Sequence, residues 1–133
     1  MTKIVIKDDG VTVESPEEAL FYGLMRLWKI PCERGDRSRA IDVNGSGWYC
    51  PDFYLPDLDA WVEVKGFEEE DHRLRYDCWR ISGKRLAVLK PGELHALRQS
   101  WTRDGAIGYL NDLAMGLQLF LHGCITSPQC DVG

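Results

Sequence analysis

Hydrophobic and polar positions alternate most regularly in the middle of the chain, on either side of a short polar loop. Residues 52–55 and 60–65 each show the period of two that is typical of a β-strand, and the loop between them reads Pro-Asp-Leu-Asp. This pattern predicts a hairpin with a four-residue loop. Its register places four pairs of residues opposite each other: Leu55 and Ala60, Tyr54 and Trp61, Phe53 and Val62, and Asp52 and Glu63.

The two faces of this hairpin differ in character. The polar face carries Asp52 and Glu63, and Lys65 shares it because side chains two positions apart point the same way. The apolar face is predicted to lie on the core, separate from the charged one: Phe53, Leu55, Val62 and Val64.

The charged face has two interpretations. Carboxylates about 5 Å apart, as opposed residues are, repel each other by about 3 kcal/mol at an effective dielectric constant of 20. A proton, a cation or good solvation must relieve that repulsion. A divalent metal beside Lys65 would suit chemistry on a phosphate, and the alternative is a solvated strand face on which Lys65 partly neutralises its neighbours.

A helix is predicted upstream, starting at Ser15-Pro-Glu-Glu18 and ending near Lys29, before Pro31. Glu18 either completes a capping box with Ser15 or projects from the first turn toward the charged face. The residues at helical spacing that are expected to face inward are Leu20, Leu24, Leu27 and Trp28, with Phe21 and Met25 widening that face.

Downstream of Lys65 the pattern predicts a helix over about 68–81 and a strand over 84–89, an arrangement that makes the flanking strands parallel neighbours. Helices over about 93–103 (Trp101 inward) and 106–122 follow, with Gly123 as the last C-cap. The final helix either covers the domain or forms a dimer interface. For the crossover helix we expect Leu74, Cys78 and Ile81 or Trp79 to face inward, and Arg73, Tyr76 and Arg80 to face outward.

Shorter elements are predicted before the central hairpin. Residues 3–7 and 11–14 read as a small hairpin turned at Asp9-Gly10, and residues 32–34 and 40–43 as short strands around a polar loop. The arginines in and next to that loop either contact phosphates or are simply solvated: Arg34, Arg37 and Arg39.

Composition restricts the class of protein. The 133 residues suit one α/β domain, with a core over about 15–90 and a C-terminal helical extension over about 92–123. The chain shows no membrane-length apolar run and no signal peptide, so we expect a cytoplasmic protein without membrane partners. Its five scattered cysteines favour neither a disulfide framework nor a zinc site. The net charge of −5 makes non-specific DNA binding weak without metal.

Taken together, Tyr49-Cys-Pro51-Asp52-Phe53 followed by Val62-Glu63-Val64-Lys65-Gly66, with Glu18 on a preceding helix, resembles the PD-(D/E)XK nuclease superfamily. Within that superfamily the chain most resembles the small transposase-like, phage and very-short-patch-type members. The resemblance covers roughly residues 15–90. The resemblance implies a mixed central β-sheet flanked by helices, a restriction-endonuclease-like core, to which this chain adds C-terminal helices. The acidic run at 68–71 and the negative net charge depart from the basic surface of many such nucleases.

The resemblance also implies an activity, namely Mg²⁺-dependent hydrolysis of DNA phosphodiester bonds. It makes Asp52, Glu63 and the Val64 carbonyl metal ligands, with Glu18 acting directly or through water, and Lys65 the residue that activates water or stabilises the transition state. Oxygen ligands suit Mg²⁺, with Mn²⁺ as a substitute, and no organic cofactor is implied. The residues expected to contact DNA are Arg34, Arg37, Arg39 and Arg73.

Two alternatives remain open at this point. The same fold would serve as a non-catalytic DNA-binding or assembly subunit, which the acidic balance and the apolar C-terminal helix favour. A nuclease of this kind would also suit branched DNA as a junction resolvase, which requires a homodimer because paired cuts need two sites. A phage or mobile element as the origin would fit either reading.

Overall fold

The computed structural model describes residues 4–6, 10–43, 47–66 and 73–126, with no side-chain detail for Ile4 or for residues 116–126. The strands are β1 (Ile4–Ile6), β2 (Val11–Val13), β3 (Glu33–Arg34), β4 (Ile41–Asp42), β5 (Trp48–Tyr49), β6 (Phe53–Leu55), β7 (Ala60–Val64) and β8 (Leu86–Leu89). The α-helices are α1 (Pro16–Leu27), α2 (Arg73–Ile81), α3 (Pro91–Arg98) and α4 (Arg103–Thr126), and a 3₁₀ helix spans Arg37–Arg39. The predicted helical start at 68–72 and the end of the tail lie outside the described residues.

A mixed four-stranded sheet forms the centre of the described chain, in the order β3-β6-β7-β8. Strands β3, β6 and β7 are antiparallel neighbours, whereas β7 and β8 are parallel and connected through α2. The parallel crossover is therefore confirmed. Two small antiparallel ribbons, β1-β2 and β4-β5, complete the strand pairing, and the first confirms the predicted N-terminal hairpin.

The register of the central hairpin is confirmed. Phe53 pairs with Val62, Tyr54 with Trp61 and Leu55 with Ala60. The four-residue loop and the alternation of apolar positions together leave no other pairing that buries one whole face, because a slip of one residue would turn every side chain over.

The main core lies on the predicted apolar face of this hairpin. Phe53, Leu55, Val62 and Val64 are buried there among side chains from the first, third and fourth helices. The ring of Phe21 in α1 lies 5.1 Å from that of Phe53, centroid to centroid. Such aromatic pairs add to the free energy that burial of their apolar surface provides.

The opposite face of the sheet is also packed, so the solvated strand face that was one of the two alternatives is not what the structure shows. Trp61 and Leu86 contact a second cluster that the β4-β5 ribbon and α2 contribute. The indole of Trp79 lies edge-on to both Trp61 and Tyr49, at centroid distances of 4.9 and 5.8 Å. The polar residues of the hairpin are consequently enclosed at one end of this face.

The predicted orientation of α2 was partly wrong: Trp79 faces inward, as one of the two alternatives had it, but Leu74 and Tyr76 are the reverse of the prediction. Tyr76 and Trp79 are buried, and Leu74 and Ile81 are exposed, Ile81 to 69%. Two aromatic side chains three residues apart bury more area than Leu74 and Ile81 would, so they determine which face meets the sheet. Arg80, expected outside, is half-buried and donates hydrogen bonds to the Leu86 carbonyl.

The inward face of α1 is shifted toward Phe21 and Met25, which were predicted to widen it. Its buried stripe follows Glu18, Phe21, Tyr22 and Met25, while Leu27 is exposed. Both stripes have helical spacing, and the aromatic one contacts the sheet.

The C-terminal helices differ from the prediction at two points. Trp101 is 78% exposed because it lies in the α3–α4 connection with a positive φ of 64°, not on a helix face. Helix α4 continues through Gly123 to Thr126, because a single internal glycine costs a helix only about 1 kcal/mol. Ala106, Leu110 and Ala114 of α4 are buried in the main core. Among the described residues, no helix is long and apolar enough to cross a membrane.

Candidate active site

Asp52 is held at the point where β6 begins. Its Oδ2 accepts a hydrogen bond of 2.8 Å from the Val64 amide, and its carbonyl accepts one of 2.8 Å from the Gly35 amide. Asp52 immediately precedes Phe53, and Glu63 immediately follows Val62, the residue that pairs with Phe53. The two predicted carboxylates therefore lie at the same end of the hairpin.

The first turn of α1 packs against this end of the sheet. A Cβ added to Gly66 would lie 2.5 Å from Oε1 of Glu17, so only glycine allows this approach without moving the Glu17 side chain. Glu18, the next residue of that turn, is only 7% exposed. Its charge contributes to raising the pKa of Asp52, which places all three predicted acids within electrostatic reach of one another.

The Glu18 carboxylate is engaged with Arg34. Ser15 Oγ accepts from the Glu18 amide at 3.1 Å, as half of a capping box would. The carboxylate Oε1 accepts from Arg34 Nη1 at 2.8 Å and, more weakly, from the Glu14 amide at 3.4 Å. Ser15 therefore caps the Glu18 amide, while the Glu18 carboxylate binds Arg34, which also contacts the Asp52 carbonyl.

Arg34 links the acids to one another. Its Nη1 also donates to the Asp52 carbonyl at 3.2 Å, and its guanidinium lies 5.1 Å from the centre of the Phe53 ring. A cation beside three acids offsets part of their mutual repulsion.

Burial raises the pKa of Asp52 well above its ordinary range, and the charges of Glu63 and Glu18 raise it further. Burial also raises the pKa of Glu63, to about 7, against opposing effects of Tyr49 and Lys65. Tyr49 lies close enough to lower the Glu63 pKa, yet its hydroxyl and Glu63 Oε1 are both buried without hydrogen-bond geometry to any described residue. An acceptor oxygen without a donor is costly inside a protein.

Lys65 lies half-buried beside this pair. Its backbone amide donates to the Leu89 carbonyl at 2.9 Å, which fixes the end of β7 against β8. Its charge lowers the pKa of Glu63, and the side chain forms no ion pair with the residues that the structure describes.

The other predicted DNA contacts lie apart from this centre. Arg39 pairs with Glu33 at 3.1 Å and lies over the rings of Tyr54 and Trp61, 5.5 Å from each centroid. Arg37 is exposed on the 3₁₀ helix, and Arg73 is exposed at the start of α2. Arg34 hydrogen-bonds to the Glu18 carboxylate and to the Asp52 carbonyl.

The donor set fits a hard divalent cation. Asp52 retains lone pairs beyond the one used by Val64, and Glu63 has an unsatisfied buried oxygen. Within the described ranges no three His, Cys, Asp or Glu side chains are arranged as a ready metal cluster. Mg²⁺ typically uses one or two carboxylates and keeps several waters, so the pair of Asp52 and Glu63, with Glu18 behind it, meets its requirements.

Two contacts of the site were not predicted from the sequence. The Arg34 pairing with Glu18 spans 16 residues and depends on β3 lying beside β6, which no local pattern announces. Tyr49 reaches Glu63 from the β4-β5 ribbon. In the sequence, the one indication of a role for Tyr49 was its position two residues before Pro51 in the motif Tyr49-Cys-Pro51-Asp52-Phe53.

The cysteines that the structure describes form no disulfide bonds with one another. Cys32, Cys50 and Cys78 are free, and burial raises the pKa of Cys32 to about 12 and that of Cys50 to about 11. Thiols with such pKa values are poor nucleophiles at neutral pH.

Comparisons of the chain with models of protein families, with curated proteins and with solved structures give no match.

Proposed function

We propose that this protein is a divalent-metal-dependent DNA endonuclease with a restriction-endonuclease-like core, in which Asp52 and Glu63 hold Mg²⁺. The observation that carries the proposal is the buried pair itself. Two acids with raised pKa values share one end of a hairpin, and Glu63 Oε1 has no hydrogen-bond donor among the described residues. A cation would relieve both the repulsion and the unsatisfied oxygen.

The proposed ligands are Asp52, Glu63 and the Val64 carbonyl, with Glu18 acting directly or through water. When bound, the divalent ion lowers the pKa of a coordinated water and neutralises charge that develops on the phosphate. The backbone of Val64 already orients Asp52, because its amide donates to Oδ2 of that residue.

The remaining roles belong to side chains of the chain itself. Lys65 extends from the same face as Glu63 and would donate to a non-bridging phosphate oxygen or orient the attacking water. The pKa of about 7 that burial gives Glu63 belongs to the metal-free protein, and a bound cation would lower it, so Glu63 would act as an ionised ligand while the water proton leaves to solvent. The water oxygen bonds to phosphorus as the bond to the 3′-oxygen breaks, which leaves a 5′-phosphate and a 3′-hydroxyl.

The test is DNA cleavage with a panel of substrates: supercoiled, linear, single-stranded and branched DNA, each in Mg²⁺, Mn²⁺ or EDTA. We expect metal-dependent cleavage of at least one substrate, lost by at least 100-fold in Asp52→Asn and in Lys65→Ala. The matched control is Asp57→Asn, an exposed aspartate of the hairpin loop, which should cleave as wild type.

Cleavage that persists in Asp52→Asn, or in EDTA, would overturn the proposal. A preparation that binds DNA but neither cleaves it nor binds Mn²⁺ would support a non-catalytic subunit on the same fold.

A further inference from the structure

A pocket opens beside the carboxylate site. Its volume is about 320 Å³, at the lower end of the range for sites that bind small organic groups. Six residues from the 3₁₀ region and the β5 segment line it: Gly35, Asp36, Arg37, Ala40, Trp48 and Cys50.

The pocket and the acid pair share one wall. Gly35 lines the pocket and donates its amide to the Asp52 carbonyl at 2.8 Å. Cys50 lies two residues before Asp52, so the two Cα atoms are at most about 7 Å apart along the chain. A Cβ on Gly35 would lie 2.0 Å from the Pro51 carbonyl oxygen, which shows how closely the two segments pack. The wall is therefore preformed.

The lining offers three different kinds of contact. Trp48 is 69% exposed although it is a large aromatic side chain. Asp36 is held by Ser38, whose hydroxyl and amide both donate to its Oδ1, the amide at 2.9 Å, and these two hydrogen bonds lower the Asp36 pKa. Arg37 is exposed at the start of the 3₁₀ helix.

We propose that this pocket binds an unpaired nucleobase of the DNA substrate, stacked on Trp48, next to the phosphodiester that the acid pair hydrolyses. Asp36 accepts a hydrogen bond from an amino or imino group of the base, as carboxylates do from cytosine N4. Arg37 contacts the adjoining phosphate. The inference deepens the proposed function and rests on it for the identity of the ligand.

The same pocket accounts for how an acidic chain holds DNA. With a net charge of −5, many phosphate contacts are not available. Stacking of a base on an aromatic ring requires no positive charge, because every base has a π-face. A paired base is already stacked within its duplex, so the pocket selects bulged, frayed or single-stranded nucleotides.

The experiment measures binding by fluorescence anisotropy in EDTA, where cleavage does not occur. Three labelled duplexes are compared: one with a single unpaired cytosine, one with an abasic residue at that position, and one fully paired. We expect the wild-type protein to bind the unpaired cytosine about ten-fold more tightly than the abasic duplex, because one stacked base contributes about that factor. Trp48→Ala should bind the two within two-fold of each other.

Trp101→Ala is the matched control, since Trp101 is equally exposed but lies outside the pocket. It should keep the ten-fold preference. Equal binding of the three duplexes by wild type, a preference retained in Trp48→Ala, or one lost equally in Trp101→Ala would each overturn the pocket's role.

The binding and cleavage experiments test the pocket and the proposed nuclease function independently. Preference for the unpaired cytosine without metal-dependent cleavage would support the pocket and overturn the nuclease. Asp52-dependent cleavage without that preference would leave the nuclease standing and overturn the pocket.

Discussion

Replacing Glu63 with glutamine should make the metal-free protein more stable at neutral pH, although the residue belongs to the proposed site. The pKa of Glu63 rises from the ordinary 4.5 to about 7 because the carboxyl is buried. Between these values the native state binds more protons than the unfolded state, so the free energy of unfolding falls as pH rises. The stability that protonated Glu63 contributes is fully lost above about pH 7.

The magnitude follows from the same shift. A difference of roughly 2.5 pKa units corresponds to about 3 kcal/mol at about 1.4 kcal/mol per unit. That is a substantial part of the 5–15 kcal/mol by which domains of this kind are stable. Glu63→Gln keeps the shape of the side chain and removes its charge, so its unfolding free energy should be flatter between pH 4.5 and 7. At pH 8 it should exceed wild type by up to about 3 kcal/mol.

The assay is urea unfolding in EDTA at pH 5, 6, 7 and 8, followed by tryptophan fluorescence. Glu33→Gln is the control, because Glu33 is an exposed glutamate paired with Arg39, and it should follow the wild-type pH dependence within about 0.5 kcal/mol. A Glu63→Gln variant with the wild-type slope, or one less stable than wild type at pH 8, would refute the conclusion that burial of the ionised Glu63 carboxylate destabilises the metal-free protein.

Other consequences concern the residues around the acid pair. Arg34→Gln leaves the buried Glu18 carboxylate without its cation, so the protein should lose about 2–4 kcal/mol of stability by urea unfolding, partly recovered in 10 mM MgCl₂. Unchanged stability would mean that the Arg34–Glu18 pair is unimportant. Gly35→Ala places a Cβ 2.0 Å from the Pro51 carbonyl oxygen and should cost about 1–3 kcal/mol or more; a neutral effect on the melting temperature would contradict that packing. Cleavage at subsaturating Mg²⁺ should fall about ten-fold per pH unit below 7, because protonated Glu63 must release its proton to bind metal, whereas a flat profile between pH 5.5 and 7 would exclude this dependence.

The central hairpin could be read from the sequence because its information is local. A four-residue loop, two short runs of alternating residues and one buried face determine the pairing of Phe53 with Val62. Pro16 and the Ser15 cap located the start of α1 for the same reason. Such features depend on neighbours within a few positions.

The errors arose where two local patterns were both acceptable. Helix α2 has aromatic and aliphatic stripes, and only the position of Trp61 and Tyr49 across the sheet decides that Trp79 faces inward. The exposed position of Trp101 follows from the tight connection between α3 and α4, whose left-handed residue cannot be read from helical periodicity.

The electrostatic part of the site was predicted least completely. Opposed acids were expected on a face apart from the core, but the second aromatic cluster encloses that face and raises their pKa values. Burial depends on how α2 and the β4-β5 ribbon pack, which is a long-range property. The pairing of Arg34 with Glu18 has the same origin.

The central claim is that Asp52 and Glu63 together hold a divalent cation. Calorimetric titration with Mn²⁺ at pH 7, in two buffers of different ionisation enthalpy, measures both the binding and the protons released. We expect binding accompanied by proton release, because burial raises the pKa values of both Asp52 and Glu63 and both must be ionised to bind the cation. The binding should be lost in Asp52→Asn. Absence of Mn²⁺ binding to the wild-type protein, or binding of equal strength in Asp52→Asn, would contradict the claim.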